Sequence, residues 1–192
     1  GKTIKILFLG DLVGRPGRFV VRDFLKKQRE NYDFIIANVE NASHGFGLTE
    51  KNYNEISEYG IDCMTSGNHI WDKREILNYI DKADRLVRPF NYPNGTPGRG
   101  SKVFELDNGV KVAVINALGR VFMAPVDSQW ETVADEIKRL KEITQIIIVD
   151  FHAEATAEKI CFGRFCADLG ASAFFGTHTH VQTADEQIVN NM

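Results

Sequence analysis

Cysteine is scarce in this sequence and comes in an odd number: Cys63, Cys161 and Cys166 are the only three in 192 residues. With no Cys-x-x-Cys spacing among them, a disulfide framework and a zinc ribbon are both excluded, and the thiols read as reduced, which points to the cytoplasm. Long hydrophobic runs are absent too: none approaches the roughly 18–20 residues that span a bilayer. The opening Gly-Lys-Thr-Ile-Lys-Ile enters a strand directly, without signal-peptide anatomy. Positive charge is not in excess. With 23 Lys and Arg against 26 Asp and Glu, the net charge is −3, so no basic field marks a nucleic-acid or membrane partner. A polyanionic ligand would have to be held locally. The usual phosphate-cradling glycine patterns are also missing. Glycines at 10, 14 and 17 do not make Gly-x-Gly-x-x-Gly, and no Gly-x-x-x-x-Gly-Lys-Ser/Thr occurs, which removes the dinucleotide and P-loop readings.

What is present is an alternation of short apolar runs and amphipathic stretches. Apolar runs at 4–9, 33–39, 61–65, 145–149 and 171–175 read as strands, and 182–189 begins one more. Residues 102–107 and 110–115 flank Asn108-Gly109 and read as a hairpin. Helices are expected over 18–29, 50–59 (capped by Thr49), 72–80, 131–142 and 154–169. The stretch 88–101, with three prolines and three glycines, reads as loop, as do 12–17 and 116–127. A hydrophobic fraction of 43% is ample for a core, and the pattern as a whole says α/β in a single domain, 1–192.

The strand ends carry the chemistry. Asp11 follows the first strand, Glu40 and Asn41 the second, Asn68 and His69 the third. His152 follows a later one, and His178 and His180 the last, at positions i and i+2 that project to one side of an extended segment. In open α/β sheets, ligands bind beyond the carboxyl ends of strands, so residues far apart in sequence converge there. The set holds carboxylates, carboxamides and imidazoles, a mixture that suits Mn, Fe, Zn, Co or Ni better than Mg or Ca. The donors outnumber what one ion takes. Two ions sharing a carboxylate, about 3.5–4 Å apart, would use them.

In this order and wording the sequence resembles the calcineurin-like metallophosphoesterases, and within them the YmdB-like bacterial phosphodiesterases. The blocks that carry the resemblance are Gly10-Asp11-Leu-Val-Gly14-Arg-Pro-Gly17, Glu40-Asn41-Ala-Ser-His-Gly45, Gly67-Asn68-His69-Ile-Trp71-Asp72-Lys73, Asp150-Phe-His152-Ala-Glu154-Ala-Thr156 and Gly176-Thr-His-Thr-His-Val-Gln-Thr183. The resemblance spans the chain. It implies a four-layer α-β-β-α sandwich with two central mixed sheets, and a C-terminal segment beyond residue 192. It implies two divalent transition-metal ions, iron or manganese foremost, with zinc compatible. Asp11, Glu40, Asn41 and His180 would hold the first; Glu40 would bridge to the second, held also by Asn68, His152 and His178. His69 would be the catalytic proton donor. The implied reaction is hydrolysis of phosphodiesters, 2′,3′-cyclic nucleotides in particular, by water activated between the ions. The superfamily's usual Asp-x-His opening is changed, since position 13 is Val, and its usual Gly-Asp is here Glu40-Asn41. The YmdB-like branch shares both changes.

Blander accounts stand beside these. Asp11 alone is a helix cap, Asn68 alone a turn residue, and a single strand-end histidine a hydrogen-bonded structural group. His44 reads as exposed or near the ligands. Glu154 and Thr156 shape the loop after His152, Trp71 either stacks on a base or packs against the sheet, and Arg99, Lys102 and Arg120 read first as solvated surface. Two other function classes remain open: a phosphomonoesterase or protein phosphatase on the same scaffold, and a metal-bound regulatory protein. Homo-oligomer formation is open as well.

Overall fold

The computed structural model describes residues 2–120, 126–177 and 183–191. In chain order the elements are β1 (Lys2–Gly10), α1 (Gly14–Gln28), β2 (Phe34–Asn38), α2 (Glu50–Glu58), β3 (Cys63–Thr65), α3 (Ile76–Tyr79), β4 (Ser101–Glu105), β5 (Lys111–Leu118), α4 (Gln129–Lys141), β6 (Ile146–His152), α5 (Thr156–Asp168), β7 (Ala173–Thr177) and β8 (Thr183–Asn191).

The strands form two sheets of four, ordered β3-β2-β1-β8 and β4-β5-β6-β7. In each, three strands run parallel and one edge strand runs antiparallel: β8 along the whole of β1, and β4 along β5. Side-chain alternation then divides the core. Ile4, Ile6 and Phe8 of β1 join Ile146, Ile148 and Phe175 of the other sheet in one buried cluster between the sheets. Leu7 and Leu9 turn outward beneath α1 and α2, and Ile147, Val149 and Phe151 turn outward beneath α4 and α5. Phe8 and Phe175 stack across the inner layer at 4.4 Å, 9° from parallel. The result is the helix-sheet-sheet-helix sandwich expected. Each fully buried Ile, Leu or Phe stabilises it by about 1.5–3 kcal/mol.

Several boundaries differ from the sequence reading, each for a local reason. The Gly14-Arg-Pro16-Gly17 stretch is not a turn but the start of α1. A proline in the first turn has no intrahelical hydrogen bond to lose there. The helix expected over 72–80 is instead a 3-10 turn at Asn68–Trp71, a four-residue α3 and a second 3-10 turn. β6 runs on through Asp150 to His152, which is its last residue. Thr49 caps α2 as expected, its Oγ1 accepting from Asn52 N at 3.1 Å. The 88–100 segment is irregular but pinned. The buried Arg88 guanidinium donates to the carbonyls of Pro89, Thr96 and Pro97 at 2.9–3.1 Å. Among the described residues no helix is long and apolar enough to cross a membrane.

Candidate metal centre

The parallel strands of both sheets deliver their carboxyl ends to one edge, and Glu40 is where the two edges meet. Its carboxylate is fully buried. Oε2 accepts the backbone N–H of His69 at 3.0 Å, from the turn after β3. Oε1 lies 3.1 Å from Nδ1 of His152, at the end of β6 in the other sheet. That approach is close in distance but is not a hydrogen bond in geometry, and among the described residues Oε1 has no hydrogen-bond partner. Among the described residues no lysine or arginine pairs with Glu40. Burial pushes its pKa up to about 8; the His69 N–H opposes this, while the nearby Asp11, Asp150 and Asp72 charges add to it. A buried carboxylate among others of its kind is stable as an anion only with cations brought to it.

Asp11 occupies the turn out of β1 in the left-handed region, at φ 34, where aspartate is among the few non-glycine residues tolerated. It is buried, and both its oxygens accept from Nδ2 of Asn41, at 3.2 and 3.3 Å. That donation leaves Asn41 Oδ1 for another partner. The backbone holds the pair in register: Leu12 N donates to Asn38 O at 3.1 Å and Gly14 N to Asn41 O at 3.0 Å.

The loop that carries Glu40 and Asn41 is braced from behind. Arg18 of α1 is buried, donating through Nη1 to Ala42 O at 2.6 Å and through Nε to Glu55 of α2 at 2.8 Å. Gly47 N donates to Glu40 O at 2.5 Å. On the third strand's turn, Asn68 Oδ1 is buried with no hydrogen bond among the described residues. His69 is part-exposed, its side chain at 42%, with Nδ1 held 2.8 Å from Asp72 Oδ2.

These residues fit a divalent ion. Buried oxygens on Glu40 and Asn68 without hydrogen bonds, beside an imidazole that approaches the carboxylate without donating to it, make up the donor chemistry of a coordination site. Among the described residues no three His, Cys, Asp or Glu side chains gather closely enough to hold an ion alone.

The sequence model of the YmdB-like protein family matches residues 7–192. The chain belongs to that family. It is 48% identical over 188 residues to a 2′,3′-cyclic-nucleotide 2′-phosphodiesterase of Bacillus subtilis (strain 168), covering 97% of this chain and 70% of that protein. Two solved structures share the fold of this YmdB-like chain. A hypothetical protein from Thermus thermophilus superposes with a TM-score of 0.86 at 38% identity, over 94% of this chain and 69% of the other. A novel phosphatase from Mycoplasma pneumoniae gives 0.84 at 36% identity, over 94% and 66%.

Of the eight positions singled out in this YmdB-like sequence, six fall among the described residues. Asp11 and Asn41 are joined directly; Glu40, His69 and His152 are joined through the carboxylate; Asn68 adjoins them in sequence. His178 and His180 lie outside the described residues. The strands on either side do bracket the site: Thr177 pairs with His152, and Thr183 with Gly10. His44 is exposed, at φ 55, beside Arg15 and Lys51. Arg99 and Lys102 donate to the carbonyls of Asp81, Ala83 and Asp84, which leaves them structural. Two contributors were not singled out. Asp72 is legible afterwards as i+3 from His69, one 3-10 turn away. Gly67 carries no chemical group, and only packing reveals it.

Proposed function

We propose that this chain is a metal-dependent phosphodiesterase that hydrolyses 2′,3′-cyclic nucleotides at the bond to the 2′-oxygen. The observation that carries the reading is Glu40, a buried carboxylate shared between the ends of both sheets with one oxygen unpartnered. The 48% identical phosphodiesterase supplies the substrate class.

Asp11, Glu40, Asn41 and His180 would hold one ion, and Asn68, His152 and His178 the other, with Glu40 common to both. Oxygen and imidazole donors together favour iron or manganese, and zinc is compatible. When bound, two such ions supply Lewis-acid stabilisation of the phosphate oxygens and lower the pKa of a coordinated water. The protein's own part centres on His69. Asp72 accepts from Nδ1, which fixes the ring and leaves Nε2 to carry the mobile proton. As water adds to phosphorus and the P–O2′ bond breaks, Nε2–H donates to the departing 2′-oxygen. Burial of the Glu40 side excludes bulk water from the ligands, while the half-exposed His69 meets the substrate. A cytoplasmic setting agrees with three free cysteines, two of them buried.

The test is elemental analysis of anaerobically purified protein alongside turnover of 2′,3′-cyclic AMP and of a phosphate monoester, with and without added manganese. Two ions per chain and preferential hydrolysis of the cyclic diester are expected. Preference for the monoester moves the chain to the phosphatases, and a folded protein with neither metal nor turnover overturns the reading.

A further inference from the structure

We propose that Trp71 and Tyr92 form one wall of the substrate pocket and take the nucleobase, so that the preferred substrates are nucleotides and not phosphodiesters at large. The inference rests on the phosphodiesterase reading and narrows it.

The placement of Trp71 follows from the turn that carries it. In a 3-10 helix side chains three apart eclipse one another. Across Asn68–Trp71 and its cap Asp72, this puts His69 over Asp72, and those two are in fact bonded at 2.8 Å. The same periodicity puts Trp71 over Asn68, on the side of the unpartnered Asn68 Oδ1. The proposed proton donor and the indole thus stand on the same short turn, two residues apart.

Tyr92 comes from a separate segment. Its ring meets Trp71 edge-on, 5.7 Å between centroids and 82° between planes. Burial pushes the Tyr92 hydroxyl above its ordinary pKa; the Trp71 indole N–H opposes this, and the charges of Glu40 and Asp72 add to it.

The segment behind Tyr92 is held more firmly than a connecting loop requires. Asn91 is fully buried, donating to Leu118 O and Asp127 O at 2.7 and 2.8 Å and accepting from Leu118 N at 2.9 Å. Phe90 N donates to Asn116 O at 2.6 Å. Trp71 packs against the core cluster beneath α1 and α2, yet both residues stay partly exposed. An anchored aromatic pair, partly exposed, beside a site for a negatively charged group, is suited to a flat heterocycle attached to a phosphate. Stacking of this kind tolerates any base, because each presents a π-face.

The experiment uses metal-loaded full-length protein, Trp71→Leu and, as a second variant in case that one folds poorly, Tyr92→Leu. Metal content and Tm are checked first. Turnover of 2′,3′-cyclic AMP is compared with that of methyl riboside 2′,3′-cyclic phosphate, which lacks a base. The ratio of the two kcat/KM values is expected to fall about tenfold in either variant. Titration with 3′-AMP is expected to quench tryptophan fluorescence in the parent protein and not in Trp71→Leu. An unchanged ratio, or quenching that survives Trp71→Leu, overturns the base site while leaving the hydrolase intact. Quenching by 3′-AMP without turnover of either cyclic ester supports the base site and overturns the hydrolase reading instead.

Discussion

The carboxylate of Glu40 occupies the space above Gly67: a methyl group on that glycine would lie 2.7 Å from both carboxylate oxygens. Real Cβ contacts are not that short, so Gly67→Ala must displace something. The atoms it meets are the far end of a flexible side chain, so the fold can absorb the change, but the Glu40 carboxylate cannot stay where it is. Gly67→Ala is expected to keep its Tm within a few degrees of the parent while losing bound metal and phosphodiesterase activity together. Full metal occupancy in that variant, measured by elemental analysis, would show that Glu40 is not a ligand.

Glu40→Gln separates charge from shape. The amide keeps the volume and one acceptor for His69 N–H, but removes the negative charge that two cations would share. Metal content and cyclic nucleotide turnover are expected to fall together. In metal-free protein the same variant is expected to melt no lower than the parent, because it removes a buried carboxylate with no cation beside it. Parallel melting curves with and without a chelator check both halves. Normal turnover at normal occupancy would remove Glu40 from the bridging position.

His69 and Asp72 predict a dependence on the leaving group. A general acid matters most when the departing oxygen is a poor leaving group. Loss of His69 should slow 2′,3′-cyclic AMP hydrolysis by about 10²–10⁴-fold. Its effect on bis-p-nitrophenyl phosphate, whose phenolate departs without a proton, should be far smaller. Asp72→Asn should give a weaker loss with the same asymmetry, because the ring remains but its orientation and charge are no longer supported. Equal losses on both substrates, with metal content unchanged, would mean that His69 does not donate the proton.

Why some of this was legible beforehand and some not is visible in particular residues. β1, β2 and β6 announce themselves as apolar runs because they are buried on both faces. Asp11, Glu40 and His152 stand out because each is polar where such a run ends. The 3-10 turn at Asn68–Trp71 is too short to carry a helical period, so a longer helix was expected nearby, and with it went the i+3 link from His69 to Asp72. The start of α1 was hidden by Pro16 and Gly17, residues that mark a turn and a first helical turn equally well. Gly67 is marked in the letters only as part of the Gly67-Asn68-His69 block, and Asn91 not at all; their roles are contacts with residues far away in sequence: Glu40 in the first case, Leu118 and Asp127 in the second. Arg18 looks like any helix-surface cation until α2 is packed beside it.

That buried arginine makes the last prediction. Arg18 ties α1 to Glu55 of α2 and to the carbonyl of Ala42, the residue after the proposed ligand pair Glu40-Asn41. It touches neither the proposed ions nor the substrate, so its effect must run through the position of that loop. Lysine keeps the charge but cannot make both bonds from one planar fork. Groups that support ligands from behind typically alter metal affinity by about 10–100-fold. Arg18→Lys is therefore expected to weaken manganese binding within that range, read by titration calorimetry, and to regain near-parent kcat when manganese is raised to saturation. The KM for 2′,3′-cyclic AMP at saturating metal should barely move. A merely structural role would give a different pattern: a lower Tm, with the manganese affinity of the folded fraction unchanged and no rescue by added metal.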